Sequence, residues 1–383
     1  MKTKKHLITG ALFVAFIIVL IGFLGLADLI QWLVDFPENF TYWTFNNRIL
    51  LMFAGTSALI LAIYLNSKEN FVQKKVMFLF TGLYLVLFMS SFVAPSYLMF
   101  RSQHLNAEFN KINELQDEYL QGEDEVIVLT INGDARAYPN KWIVQPHIAG
   151  DNIGGEEIVM TYCGLSHLAQ AYQSNVNGDS LELKVMSQLK NNLVMFDNIS
   201  KEPIAQVYGT MINSSTKLNS VPSTVMPYSS FKQLYPQGLV FNYYNSNIFD
   251  KLVYGMLEKT IYSQGGQYDK STKELSFPSI KHIDERLHAK EQIYGVEING
   301  ESVAYTKEFL IRKGGTITEI VGKKTITVKY FDEFDFVNIY EGNVPEVDEK
   351  GFINKIQCKA LPHYNRMLWK VWANFFKNTD VRI

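Results

Sequence analysis

The sequence predicts three N-terminal transmembrane helices followed by a mainly β, α+β extracytoplasmic domain that contains a duplicated β-rich unit. Three observations carry this expectation. Residues 7–27 (LITGALFVAFIIVLIGFLGLA) run for 21 positions without a charge, which as a helix spans about 31 Å, close to the hydrocarbon thickness of a bilayer. Asn-Gly, a strong hairpin signal because both central residues of a type I′ turn need positive φ, occurs between strand-like runs at Asn132-Gly133, Asn177-Gly178 and Asn299-Gly300. Residues 125–162 align without a gap on residues 292–329, at a constant offset of 167.

Two further apolar stretches, roughly Ile49 to Leu65 and Val76 to Met99, complete the three spans. Lys2, Lys4 and Lys5 precede the first span and Lys68, Lys74 and Lys75 separate the second from the third, whereas only Arg48 and Arg101 flank the opposite face. Lys and Arg near a membrane stay on the cytoplasmic side. The N-terminus is therefore expected in the cytoplasm and everything after residue 101 outside, in a bacterial cytoplasmic (inner) membrane. A cleaved signal peptide is the competing reading of the basic start, but the apolar run is too long and two spans follow it. The helices carry Thr81, Ser90 and Ser91 and no charge at depth, a pattern of anchoring rather than transport. The lipid bilayer is thus the expected partner. A formal net charge of −2 supplies no basic field for nucleic acid, and the small-molecule or protein partner is left unspecified.

The expected division is a three-helix membrane anchor at 1–101, a linker helix at 102–124 and an extracytoplasmic domain at 125–383, with repeat copies at 125–162 and 292–329. Leu105, Phe109, Ile112, Leu115 and Tyr119 fall at helical spacing in the linker. Each copy reads as a hairpin, a short crossing, a Gly turn and a third strand. At the offset of 167, Cys163 faces Tyr330, His167 faces Phe334 and His147 faces Gly314, so every candidate for chemistry falls in the first copy. A helix is expected at Ser229 to Tyr235, capped by Ser229 or Ser230. The C-terminal amphipathic segment is expected to pack Leu368, Trp369, Trp372 and Phe376 on the sheet.

The run Thr161-Tyr162-Cys163-Gly164-Leu165-Ser166-His167 leaves a predicted strand for a loop in which a reactive side chain can be exposed. Cys163 and His167 have a spacing compatible with two ligands of copper or zinc, and His147 could supply a third once the crossing folds back. Cys163 is also the candidate catalytic thiol. A thiolate needs a base, and His167 and His147 are the nearby ones. The alternative is a structural Cys163, either a buried small hydrophobe or half of a disulfide with Cys358. Gln188, Asn192 and Asp197 are candidate ligand-binding residues beside Cys163, although consecutive amides ahead of a strand more often make a tight turn. Phosphate-binding glycine loops, His-Glu-x-x-His, Gly-x-Ser-x-Gly and Cys-x-x-Cys are absent from the sequence, so nucleotide-dependent chemistry is not indicated.

The stretches Asn132 to Pro139 (NGDARAYP), Asp151 to Gly155 (DNIGG), Thr161 to Cys163 (TYC) and Asn191 to Asp197 (NNLVMFD) resemble the DUF3179 family, a domain of unknown function. Common members look like T-Y-C-P-L-C where this chain has Ser166 in place of the second thiol, and like Trp-His-Glu where it has Gln145-Pro146-His147. The resemblance implies a divergent, membrane-anchored branch in which His147 and His167 stand in for lost ligands. The expected function is a membrane-anchored envelope protein with a Cys/His metal or thiol site in the first copy. The alternative is a noncatalytic module that binds a small ligand or a partner protein.

Overall fold

A computed structural model describes residues 2–383 apart from 28–29, 31–32, 35, 94–101, 105–106, 116–119 and 244–247. Residues 94–99 of the expected third span, Arg101, and Leu105 and Tyr119 of the expected linker lie outside the described residues. The chain forms two compact units, one of residues 1–100 with 186–189 and 277–279, the other of the remaining residues.

The N-terminal unit holds α1 (Lys2–Leu26), α2 (Glu38–Asn46), α3 (Arg48–Glu69) and α4 (Lys74–Phe88). Three stretches, Thr3–Leu26, Arg48–Glu69 and Lys74–Val93, are long and apolar enough to cross a membrane. Ala15, Val19, Leu59 and Tyr84 form their shared core. Gly55 lets the helices approach, since a Cβ there would sit 2.9 Å from the Tyr84 hydroxyl. Lys4 pairs with Glu69 at 2.7 Å, which puts the two lysine-rich segments at one end of the bundle.

The second unit is mainly β. Where the sequence predicts a linker helix, the described residues form β1 (Glu108–Lys111) and a single 3-10 turn at Ile112–Glu114. Tertiary pairing overrides the local periodicity: β1 pairs with β15 (Leu239–Asn242), and Phe109 packs 5.5 Å from Tyr138 and 5.7 Å from Phe241.

The chain then makes a hairpin of β2 (Glu125–Ile131) and β3 (Asp134–Pro139), α5 (Asn140–Ile143), and a meander of β4 (Ile148–Ile153), β5 (Glu156–Cys163) and β6 (Leu168–Gln173). An excursion follows. It comprises β7 (Asn175–Val176) and β8 (Asp179–Ser180) around Asn177-Gly178, then β9 (Leu183–Leu189), β10 (Asn192–Asp197), β11 (Pro203–Ala205) and β12 (Thr210–Met211) in one sheet, then β13 (Ser220–Val221) on the edge of β6. β14 (Thr224–Pro227), α6 (Tyr228–Leu234) and β15 return to the first hairpin and give the sheet order β1-β15-β3-β2-β14. α7 (Ile248–Ile261) leads away. Neither Ser229 nor Ser230 caps α6. Its first N–H groups are met instead by backbone: Tyr228 donates to Asp124 O and Ser229 to Gly122 O, at 2.8 and 2.9 Å.

The same order recurs in β16 (Gln292–Ile298), β17 (Glu301–Thr306), α8 (Lys307–Arg312), β18 (Thr316–Val321), β19 (Lys324–Phe331) and β20 (Phe336–Glu341). After a small hairpin of β21 (Phe352–Ile353) and β22 (Ile356–Gln357), β23 (Tyr364–Leu368), α9 (Trp369–Phe375) and β24 (Asp380–Arg382) return to flank it. β14 sets Pro227 opposite Glu125, and β23 sets Leu368 opposite Gln292. β15 and β24 run parallel to β3 and β17. Leu368, Trp369 and Trp372 are fully buried, with Trp372 4.1 Å from the Phe376 ring.

The register moves part-way. α8 is longer than α5, and beyond these helices corresponding positions lie 168 apart rather than 167. The hydrogen bonds fix this. Asn132 and Asn299 donate to Gly154 O and Gly322 O at 2.9 and 2.7 Å, and the N–H groups of Tyr162 and Tyr330 donate to His147 O and Gly315 O at 2.8 and 2.7 Å. Cys163 therefore corresponds to Phe331, His147 to Gly315 and His167 to Asp335, not to Tyr330, Gly314 and Phe334. Gly154 and Gly322 adopt φ +56 and +54, and an added Cβ would meet Ile131 O at 2.4 Å or Ile298 O at 2.0 Å. Each Gly→Ala substitution is expected to lower stability by about 2 kcal/mol or more, read as a shifted urea midpoint.

Candidate functional site

β5 and β6 are joined by residues 164–167, and the loop closes with His167 in the left-handed region at φ +58. Its ring is 1% exposed, and Nε2 lies 2.7 Å from Glu125 Oε2. Glu125 opens β2. Asn140, the first residue of α5, donates from Nδ2 to the same carboxylate oxygen at 3.0 Å and lies 3.5 Å from His167 Nε2. Arg366 of β23, also left-handed at φ +53, donates from Nη1 to Glu125 Oε1 at 2.6 Å and from Nη2 to Asp335 O at 2.7 Å, with the Asp335 carboxylate 3.2 Å away. Asp335, at φ +49, accepts from Lys307 Nζ at 2.6 Å and Tyr330 Oη at 3.1 Å.

The two ends of this chain of contacts occupy corresponding positions. Asn140 and Lys307 open the short helices, and His167 and Asp335 are the left-handed residues before β6 and β20. Arg366 joins them. Three non-glycine residues held at positive φ in one network constitute local strain of the kind that concentrates at functional sites.

Electrostatics determine which groups are charged. Burial alone would raise the Glu125 carboxyl, but the charges and hydrogen bonds of His167 and Arg366 outweigh it and hold Glu125 at about 2. Burial likewise opposes ionisation of Asp335, and Lys307 and Arg366 keep it below the usual carboxylate value. Facing an ionised Glu125, His167 carries a proton on Nε2 and donates it to the carboxylate. Nδ1 has no hydrogen-bond partner among the described residues, and neither does Asn140 Oδ1. A buried polar atom left open costs about 1 to 3 kcal/mol. Around the imidazole, the rings of Tyr162 and Tyr268 stand edge-on at 5.9 and 5.0 Å, their hydroxyls 3.1 Å apart, and Tyr268 Oη donates to Gly164 O at 2.6 Å. Burial raises both phenols, so they stay protonated.

A pocket of about 350 Å³ opens onto Glu125 and Asn140. One wall is Glu123, Asp124 and Lys141, with Lys141 bonded to Asp124 at 2.5 Å, and the other is Tyr254 and Glu258 of α7 with Tyr262 just beyond it.

The whole network lies inside the region over which the chain matches the family described as protein of unknown function (DUF3179), residues 104–379. The chain belongs to the DUF3179 family. No curated protein and no solved structure matches it.

In this DUF3179 protein His147, Cys163, His167 and Asn192 all adjoin the β5–β6 loop, but they do not share one site. Cys163 ends β5, fully buried, with Sγ 3.9 Å from Asn191 O, and burial raises its thiol above the usual value. Neither it nor the partly exposed Cys358 is in a disulfide, so the disulfide alternative does not hold. His147 is buried and donates from Nδ1 to Tyr162 O at 2.7 Å, and burial pushes its imidazole down to about 4. Among the described residues no three His, Cys, Asp or Glu side chains come together to hold a metal ion, so Cys163, His147 and His167 do not form the expected ligand set. Asn192 bonds Ser166 Oγ at 3.1 Å and Gln206 at 3.3 Å, bracing the loop that ends in His167. Asp197 accepts from the backbone of Glu182, Ile199 and Ser200, Gln188 is buried in β9, and Lys190-Asn191 form a left-handed turn.

Of the groups that form the network, only His167 was singled out. Glu125 did carry a signal, because it opens the first copy where the second has Gln292. Asn140, Asp335 and Arg366 carried none that spacing could expose.

Proposed function

We propose that this protein is a membrane-anchored component of the bacterial cell envelope, N-terminus in the cytoplasm and β domain exported. It binds a small polar molecule in the pocket over Glu125 and Asn140, with His167 as the proton-holding group of the site. The observation that carries this reading is a pair of buried polar atoms, His167 Nδ1 and Asn140 Oδ1, left without partners on the two side chains that bond one ionised carboxylate. Native interiors rarely leave such atoms unmet, so a ligand or water is their natural partner. An imidazole oriented by a carboxylate is also suited to hold a proton, because the carboxylate stabilises the imidazolium.

The exported orientation is supported by the lysine distribution across the three helices. The matched hydrogen bonds of the two β segments support their origin by duplication. Cys163 is structural in this reading, since a buried, protonated thiol is a poor nucleophile.

The test is a thermal-shift panel of amines, sugars and short peptides against the full chain in lipid nanodiscs, repeated with Asn140→Leu and Cys163→Ala. Compounds that stabilise the native protein are expected to lose at least tenfold in affinity with Asn140→Leu and to bind Cys163→Ala unchanged. The reverse pattern would restore a thiol site.

A further inference from the structure

We propose that the pocket over Glu125 and Asn140 recognises its ligand through a primary ammonium group. The proposal rests on the reading of that pocket as a ligand site and adds the chemistry of the occupant. Asn140 is 5% exposed and lines the pocket. Its Nδ2 is committed to the Glu125 carboxylate at 3.0 Å, and the reverse amide orientation would set a carbonyl against that carboxylate. Oδ1 is therefore the atom left to a ligand, and it can only accept.

Four acids and one lysine line the pocket. Asp124 is neutralised by Lys141 and Glu125 by His167 and Arg366, but Glu123 and Glu258 make no ion pair among the described residues. Tyr254 and Tyr262 add aromatic faces on the α7 side, and rings of this kind attract a cation within about 6 Å. An ammonium brings three donors and one positive charge to a site offering one open acceptor, two carboxylates without ion pairs among the described residues, and aromatic rings. An anionic ligand would face the two unpaired acids, and a neutral polyol would leave them uncompensated.

Such a group occurs on amino sugars and on ethanolamine lipid headgroups, so the test separates these sources. Full-length protein in phosphatidylcholine nanodiscs is titrated calorimetrically with glucosamine and with ethanolamine, each against its neutral isostere, glucose or ethylene glycol, and against glycolate. At least one amine is expected to bind tenfold or more tighter than its isostere, and Glu258→Gln, which changes an exposed residue, is expected to remove most of that preference while leaving the unfolding midpoint unchanged. Tighter glucosamine assigns a sugar source and tighter ethanolamine a headgroup source. Neutral isosteres that bind as well as the amines overturn the ammonium assignment and leave the ligand-site reading standing. Failure of every probe to bind overturns both.

Discussion

Arg366→Met is expected to lower the stability of the β domain by about 3 to 5 kcal/mol, the loss typical when one partner of a buried ion pair is removed and the other remains. The guanidinium is only 11% exposed and serves two acids at once, Glu125 through Nη1 and Asp335 through Nη2. Without it, Glu125 keeps His167 and Asp335 keeps Lys307, but the link between the two β segments is gone. Urea unfolding followed by the fluorescence of Trp369 and Trp372, both buried in the second core, reports the change. Adding Glu125→Gln should restore part of the loss, because one stranded carboxylate is then removed. A loss below about 1 kcal/mol would mean that the network is an ordinary surface ion pair.

The second large effect is on acid stability. Glu125 is held at about 2, against an ordinary value of 4.5. A carboxyl depressed by folding contributes stability above its unfolded pKa, and that contribution is lost as pH falls through the folded one. The window is therefore pH 5 down to pH 2. The shift corresponds to about 3 kcal/mol at 1.36 kcal/mol per unit, and partial solvent access brings the expectation to about 2 to 3 kcal/mol. Wild type should lose that much more than Glu125→Gln between pH 5 and pH 2, while Asp335 titrates in both proteins. Parallel curves would show that Glu125 is not ionically held.

What could be read from the sequence was what repeats locally. Three uncharged stretches predicted the helices, and each Asn-Gly turn predicted a hairpin, because in both cases the determining residues are neighbours in the chain. The linker helix failed for the complementary reason: Phe109 and Ile112 have helical spacing, but β1 gains an edge pairing to β15, more than a hundred residues away. The constant offset of 167 concealed a slip of one residue, since identical residues before the short helix and near the Gly turn kept the alignment in place. That slip set His167 opposite Phe334 and concealed its correspondence to Asp335. The bond from Arg366 to Glu125 spans 241 positions, and no pattern of spacing reaches that far. Cys163 reads from sequence as a thiol where a strand gives way to a loop, yet the hydrogen-bonded end of β5 buries it completely.

The most direct measurement is the ring ¹⁵N spectrum of histidine-labelled protein at pH 8, with the His167 signals assigned through His167→Gln. The expected result is a proton on Nε2, facing an ionised Glu125, and a change in the ring signals when an amine ligand fills the neighbouring pocket. An unprotonated Nε2 would contradict it, because His167 could then not donate to Glu125 and the carboxylate would lose the partner on which the site's proposed role depends.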